Sequence, residues 1–258
     1  MGKEEWDVVV GAGEVGKSLG GVLEDRRKVL YHDPPKNIIC QFKKAAFMHV
    51  CIPFSSIETV MGYIDQFEPT FVVIHSTVPV GTTRKLHEAM LANIKKTGNW
   101  TFIAYSPVRG LHPNLGRHIQ MFPKWYATFV DGHVDESIQA YFARAGIQTR
   151  KAPDVETLEW MKLWETTSYS VSLVMWQEIE RESRSFRNRI ESMNALKTYL
   201  FEKRRVYDGD KGTVPIYDIV PGPIGGHCIS PNWDLLKPLM SKEMYEWLVT
   251  TNAARRKD

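Results

Sequence analysis

The sequence predicts an α/β chain in two parts: a Rossmann-type parallel-sheet domain over residues 1–152, then an all-helical domain over residues 153–258. Three observations carry this. Val8-Val9-Val10 is a β-branched strand that runs through Gly11-x-Gly13-x-x-Gly16 into helix-forming residues. Short apolar runs then alternate with amphipathic stretches up to about residue 150, the pattern of βαβ units. After Pro153 the pattern changes to long helical periodicity.

In order, residues 8–10 read as the first strand, 14–23 as the helix after it and 29–33 as the second strand. The connection over 34–46 is close to the minimum crossover of about 10–12 residues and leaves room for a small helix around 41–44. Residues 47–52 form a strand stopped by Pro53, and 55–67 a helix with Ile57, Val60, Met61 and Ile64 on one face. Residues 71–74 are a strand, 82–94 a helix and 101–105 a strand stopped by Pro107. Two further strands, 125–130 and 147–151, flank a helix over 135–145. Residues 154–181 are apolar nearly all round, as in a helix buried between other elements. A helix over 183–203 is amphipathic, residues 207–226 are rich in Pro and Gly and read as loop, and 241–255 is the last helix.

Composition narrows the function classes. Hydrophobic residues make up 43% and charged residues 24%, the balance of an ordinary soluble core. A net charge of +3 is too small to argue for nucleic acid. The basic runs 181–189 and 203–205 sit among helix formers and read as solvated faces. No apolar run reaches the ~18 residues of a membrane span. Met1-Gly2-Lys3-Glu4-Glu5 is polar and shows no signal peptide. Cys40, Cys51 and Cys228 make no disulfide framework, so a cytoplasmic protein is expected.

The glycine run spells the dinucleotide fingerprint. Gly11 makes the turn, Gly13 leaves room for a pyrophosphate and Gly16 lets helix and strand pack. Glu14 and Val15 open the helix, whose free N–H groups and positive dipole end suit phosphate. The same letters, residues 11–18, also match the G-x-x-x-x-G-K-S phosphate loop, with Lys17 and Ser18 in its key places. That motif needs a strand ending in a magnesium-holding Asp. The strand over 71–74 ends in His75 and Ser76, and Thr128-Phe129-Val130-Asp131 is a poor substitute. The fingerprint instead needs an acid at the end of the second strand, and Asp33 stands 20 positions after Gly13. A carboxylate there accepts ribose hydroxyls and repels a 2′-phosphate, so NAD is favoured over NADP. On this reading Lys17 is a solvated helix residue. The other reading of Asp33 is a strand-end turn residue before Pro34-Pro35.

Further stretches add a second layer. These are Ser76-Thr77-Val78-Pro79-Val80-Gly81-Thr82-Thr83, Ser106-Pro107-Val108-Arg109-Gly110, Leu158-Glu159-x-x-Lys162 with Gln177-Glu178-Ile179, and Gly222-Pro223-Ile224-Gly225-Gly226-His227-Cys228. In this order the chain resembles the UDP-glucose/GDP-mannose dehydrogenase family over roughly residues 6–236. The resemblance implies NAD-dependent oxidation of the primary alcohol of a UDP- or GDP-sugar through a cysteine-bound intermediate. It makes Cys228 the nucleophile, Lys162 the donor to the developing oxyanion and Thr77 a neighbour of the nicotinamide. Asn232 falls nearest the family's water-activating Asp. Pro53, Ser76 and Thr77 complete the expected cofactor contacts, and no residue is assigned to a metal. The resemblance also implies a homodimer through the helix over 154–181, and an end to the chain about where the family's second Rossmann domain begins.

Each role has an ordinary structural counterpart. Free cysteine is most often a buried small hydrophobe. Lys162 is spaced to pair with Glu159 or Glu165, and Thr77 suits a helix N-cap or a turn. This chain also departs from the family: Thr166 stands where the family has Asn, Asn232 where it has Asp, and Val108 where acid-forming members have Glu. A protein that binds NAD without turnover, or only with a partner, is therefore the alternative function. A phosphate-loop nucleotidase is the second alternative.

Overall fold

In the computed structural model, which describes residues 6–98, 100–111, 113–207, 222–226 and 229–255, the chain is built on a seven-stranded sheet. Its strands are β1 (Trp6–Val10), β2 (Lys28–His32), β3 (Phe47–Val50), β4 (Phe71–Ile74), β5 (Phe102–Tyr105), β6 (Lys124–Thr128) and β7 (Thr149–Lys151), in spatial order β2-β1-β3-β4-β5-β6-β7. The first five strands are parallel, β6 runs antiparallel to β5, and β7 pairs parallel with β6. From β1 the chain steps first to β2 on one side and then to β3 on the other. That reversal opens a crevice at the carboxyl ends of β1 and β3, where sheets of this kind take ligands.

Helices α1 (Glu14–Glu24), α2 (Ile57–Phe67), α3 (Thr82–Thr97), α4 (Leu115–Met121) and α5 (His133–Arg144) cover both faces of the sheet. Alternate residues of each strand serve opposite faces, so the central strands β4 and β5 are apolar throughout and β3 is apolar apart from His49. Met48, Val50, Val72 and Ile74 pack with Val60, Ile64, Leu86 and Met90, whereas Phe47 and Val73 pack with Leu19, Leu23, Ile138 and Phe142.

A polar chain crosses this second face. Arg27 Nε donates to Asp7 Oδ2 at 2.9 Å and the Tyr141 hydroxyl donates to the same oxygen at 2.8 Å. Tyr141 Oη lies 2.7 Å from His49 Nε2, and His49 Nδ1 lies 3.0 Å from His75 Nε2. His75 Nδ1 is 2.7 Å from the Ser106 carbonyl, which also accepts from Lys124 Nζ at 3.0 Å. Most buried polar groups in proteins are partnered in this way.

The chain divides into two compact units, residues 1–162 and 163–258. The first includes the start of α6 (Val155–Ser183), whose Val155 and Leu158 join the apolar core beneath the sheet. The second holds the rest of α6 with α7 (Arg189–Tyr207), α8 (Ser230–Leu236) and α9 (Lys242–Ala254). Its core is Val174, Trp233 and Leu248, with Ile224 and Tyr245 packed against them. Trp233 Nε1 donates to Ser170 Oγ at 2.8 Å, and Asn252 bonds both the N–H and the carbonyl of Ile224, at 2.6 and 2.8 Å. Among the described residues no helix is long and apolar enough to cross a membrane.

Several expected elements differ. The expected helix at 41–44 is absent; a single 3₁₀ turn, Pro34–Lys36, takes its place earlier in the connection. Two prolines suit the first turn of a helix, and Asn37 ends it in the left-handed region at φ 59°. Helices α4 and α8, of seven residues each, are too short for periodicity to reveal. α6 runs on to Ser183 and α7 starts only at Arg189, after a turn. α6 is not buried all round either: Trp160 is 47% and Tyr169 43% exposed. The loop expected over 207–226 lies outside the described residues between 208 and 221.

Candidate functional site

The glycine loop sits at the crevice between β1 and β3. Gly11 has φ 98°, and a Cβ there would stand 2.8 Å from Ile52 Cγ2. A Cβ on Gly16 would come 1.8 Å from the Gly11 carbonyl oxygen, so bare backbone is what lets α1 close on the loop. Gly13 is the N-cap of α1 and has open space around it; the nearest atom to its would-be Cβ is Lys36 Nζ at 3.9 Å. The first-turn residues Glu14 and Val15 follow, giving a helix N-terminus that no side chain caps. Lys17 is exposed on α1, as a solvated helix residue should be.

Asp33, just past β2, turns its carboxylate into this loop. Its Oδ2 accepts the Ala12 N–H at 2.8 Å and lies 3.1 Å from Lys36 Nζ. Burial pulls the carboxyl pKa upward, but the Ala12 N–H and the Lys36 ammonium outweigh it and hold it below its ordinary value. Lys36 Nζ also donates to the Ala12 carbonyl at 2.9 Å. Asp33, Lys36 and the glycine loop are therefore one hydrogen-bonded assembly. Lys36 went unread in the sequence, although a lysine three residues past the acid and behind a Pro-Pro turn is spaced to fold back on it.

Pro53 and Ser76, past the ends of β3 and β4, line a shallow recess with Ile52, Phe54, Thr82 and Thr83. The Ser76 hydroxyl donates to the Ile52 carbonyl, with the Val50 carbonyl at 3.4 Å. Thr77 follows it, half-buried. The loop they open is tied down by Glu159, a fully buried carboxylate on α6. Its Oε2 accepts the Gly81 N–H at 2.6 Å, and its Oε1 accepts both the N–H and the hydroxyl of Thr83, at 2.8 and 2.7 Å. Glu159 thus caps α3 and holds the helix turn that carries Lys162 against the loop that carries Thr77. The sequence pattern showed Glu159 only as a neighbour of Lys162.

Lys124, where β6 begins, is the other group the sequence left unread. It is buried, donates to the carbonyls of Ser106 at 3.0 Å and Pro107 at 3.4 Å, and feels the charge of Lys162. Burial, aided by Lys162 and opposed by Cys51, lowers its pKa to about 7. Burial pushes the Cys51 thiol up to about 12, which keeps it protonated and inert.

In the second unit, Asn232 is 4% exposed and its Nδ2 donates to Thr166 Oγ1. These two residues, 66 positions apart in the chain, are bonded to each other. Cys228, with His227, lies outside the described residues. Among the described residues no group of His, Cys, Asp and Glu is arranged to hold a metal.

No protein-family model and no curated protein matches this chain. Solved structures do. UDP-N-acetyl-mannosamine dehydrogenase from Staphylococcus aureus superposes with a TM-score of 0.69 at 15% identity, over 97% of this chain and 68% of its own. The UDP-D-ManNAc dehydrogenase of Pyrococcus horikoshii gives 0.69 at 17% identity, over 97% and 68%. The UDP-glucose dehydrogenase of Pyrobaculum islandicum gives 0.69 at 14%, with the same coverage. The chain thus has the fold of the nucleotide-sugar dehydrogenases over nearly all of its own length and about two thirds of theirs.

Proposed function

We propose that the chain is an NAD-binding oxidoreductase of the nucleotide-sugar dehydrogenase type, acting on the primary alcohol of a UDP- or GDP-sugar. The observation that carries the reading is the open Gly13 at the uncapped N-terminus of α1, with Asp33 bonded to the neighbouring Ala12 N–H. Gly11, Gly13 and Gly16 hold the pyrophosphate beside Glu14 and Val15, Asp33 takes the adenosine ribose, and Pro53, Ser76 and Thr77 line the way to the nicotinamide. Bound NAD supplies the hydride acceptor. Lys162, kept in place through Glu159, donates to the substrate oxygen as negative charge develops on it; one such donor is worth roughly 10²–10³ in rate. Cys228 is the nucleophile that captures the aldehyde, which suits it to a second oxidation. Residues 1–152 form the cofactor domain, and residues 153–258 provide a homodimer contact along α6, where Trp160 and Tyr169 stand exposed. The setting is cytoplasmic.

NAD titration of the purified chain, followed by a panel of UDP- and GDP-sugars, tests the reading. NAD binding with NADH formed from one sugar, lost in Cys228→Ser, is the expected result. No binding of NAD refutes it.

The Asn232–Thr166 bond favours a second reading, an NAD-binding homologue that does not complete the reaction unaided. Asn232 presents an amide, which cannot take a proton from water as a carboxylate does. NAD binding without turnover on any sugar supports that reading.

A further inference from the structure

Asp33 ordinarily reports on the coenzyme. A lone carboxylate at the end of the second strand hydrogen-bonds the ribose hydroxyls of NAD and repels the extra 2′-phosphate of NADP. Here the carboxylate is not alone. The chain after β2 folds back on itself: Asp33 N–H donates to the Ile38 carbonyl at 2.8 Å and Ile38 N–H returns to the Asp33 carbonyl at 3.2 Å. Between them the 3₁₀ turn is closed by Lys36 N–H to the Asp33 carbonyl at 2.8 Å and by Asn37 N–H to the Pro34 carbonyl at 2.9 Å.

This short closed loop fixes where Lys36 starts, and its side chain reaches the carboxylate and the Ala12 carbonyl together. The acid side chain is 11% exposed and the lysine 49%, so the cation is the outer, accessible member of the pair. An ammonium has three N–H donors, and these two contacts use two of them. It also stands beside Gly13, the residue whose bareness leaves room for the pyrophosphate.

We propose, on the reading that the glycine loop holds a dinucleotide, that Lys36 sets the coenzyme choice. By neutralising Asp33 and presenting its remaining donor, it lets the ribose subsite accept a 2′-phosphate, so that NADP binds within tenfold of NAD. A carboxylate and an ammonium 3.1 Å apart present almost no net charge to an incoming phosphate. The outer position of the cation then tips the balance toward attraction. Asp33 keeps its bond from Ala12 and remains a ribose acceptor, so NAD is not excluded.

The test is calorimetric titration of the whole chain with NAD and with NADP, for the natural protein, Lys36→Met and Lys36→Arg. The natural protein is expected to show an NADP-to-NAD Kd ratio below ten. Lys36→Met is expected to raise that ratio tenfold or more, because the bare carboxylate then meets the phosphate, and Lys36→Arg is expected to keep it low. A ratio of ten or more in the natural protein overturns the proposal, as does a change of less than tenfold in Lys36→Met. NAD binding with strong rejection of NADP sinks this proposal alone; failure of both dinucleotides to bind sinks the cofactor reading and this proposal with it. Lys36 is half-exposed and packs in no core cluster, and the circular dichroism of each variant confirms that it is folded.

Discussion

Lys124→Met should make the protein more stable at neutral pH, and the gain should vanish in alkali. Lys124 is 5% exposed and its pKa falls from the ordinary 10.5 to about 7 because burial disfavours the ammonium. The unfolded chain keeps the proton up to pH 10.5, whereas the folded chain releases it above about 7. Between these values the unfolded state binds more protons, so stability rises with pH; below about 7 both states hold the proton and the full penalty remains. A drop from 10.5 to about 7 corresponds to about 5 kcal/mol. Methionine fills similar volume and carries no proton. It gives up the bonds to the Ser106 and Pro107 carbonyls, a loss of ~1 kcal/mol each plus the cost of an unpaired Pro107 carbonyl. The net expectation at pH 7 is a variant more stable by ~2 kcal/mol, and one less stable than the natural protein by pH 10. Urea unfolding of both proteins at pH 7, 8, 9 and 10 measures it. Most other titrations cancel in the difference, and Cys51, at about 12, titrates outside the window. A difference that stays constant from pH 7 to 10 refutes the reasoning.

Two glycines of α1 should respond in opposite ways. Gly16→Ala puts a methyl 1.8 Å from the Gly11 carbonyl oxygen and should cost more than about 4 kcal/mol and abolish NAD binding. Gly21→Ala meets nothing within 4 Å and should stabilise by about 0.5–1 kcal/mol; chemical denaturation of both checks the contrast. Glu159→Gln sets an amide donor against the N–H groups of Gly81 or Thr83. It should cost ~2–4 kcal/mol, read as a fall in Tm of roughly 4–12 °C by calorimetry, and an unchanged Tm contradicts the capping role. Asn232→Asp keeps the shape and can accept the Thr166 hydroxyl in place of the donated bond. On the proposed mechanism it supplies a base, and acid formation from a turned-over sugar should rise at least about tenfold; an unchanged rate assigns Asn232 to packing.

The sheet was legible because the same residues carry the local and the global signal. Phe71–Ile74 is a strand at the bounds its apolar run predicts, Gly11 takes a turn at φ 98°, and Gly16 sits where helix and strand come too close for a Cβ. Legibility failed where the signal was three-dimensional. His49 lies in β3 and His75 directly follows β4, both in apolar stretches that look like core, and only the pairing of β3 with β4, in which His49 stands opposite Val73, brings their rings together. Lys124 opens a strand that runs against its neighbour, so that its side chain falls at the carboxyl edge of the sheet rather than in solvent. Glu159 and Lys162 look alike as one-turn neighbours in a helix, yet one is fully buried with three partners and the other half-buried.

In the sequence, Thr166, Asn232 and Val108 stand together as departures from the pattern of the family the chain resembles, and as the ground for an NAD-binding protein without turnover. Thr166 and Asn232 are 66 residues apart and share a hydrogen bond. An Asp at 232 could accept the Thr166 hydroxyl, but it would carry its charge at a buried position, which raises the cost of ionising it. An Asn there needs no ionisation, donates to the hydroxyl and keeps α8 against α6 beside the Trp233–Ser170 bond. The pair therefore ties α8 to α6 within the helical unit. Changing either residue alone removes this bond from the other, so Thr166 and Asn232 act as one physical unit.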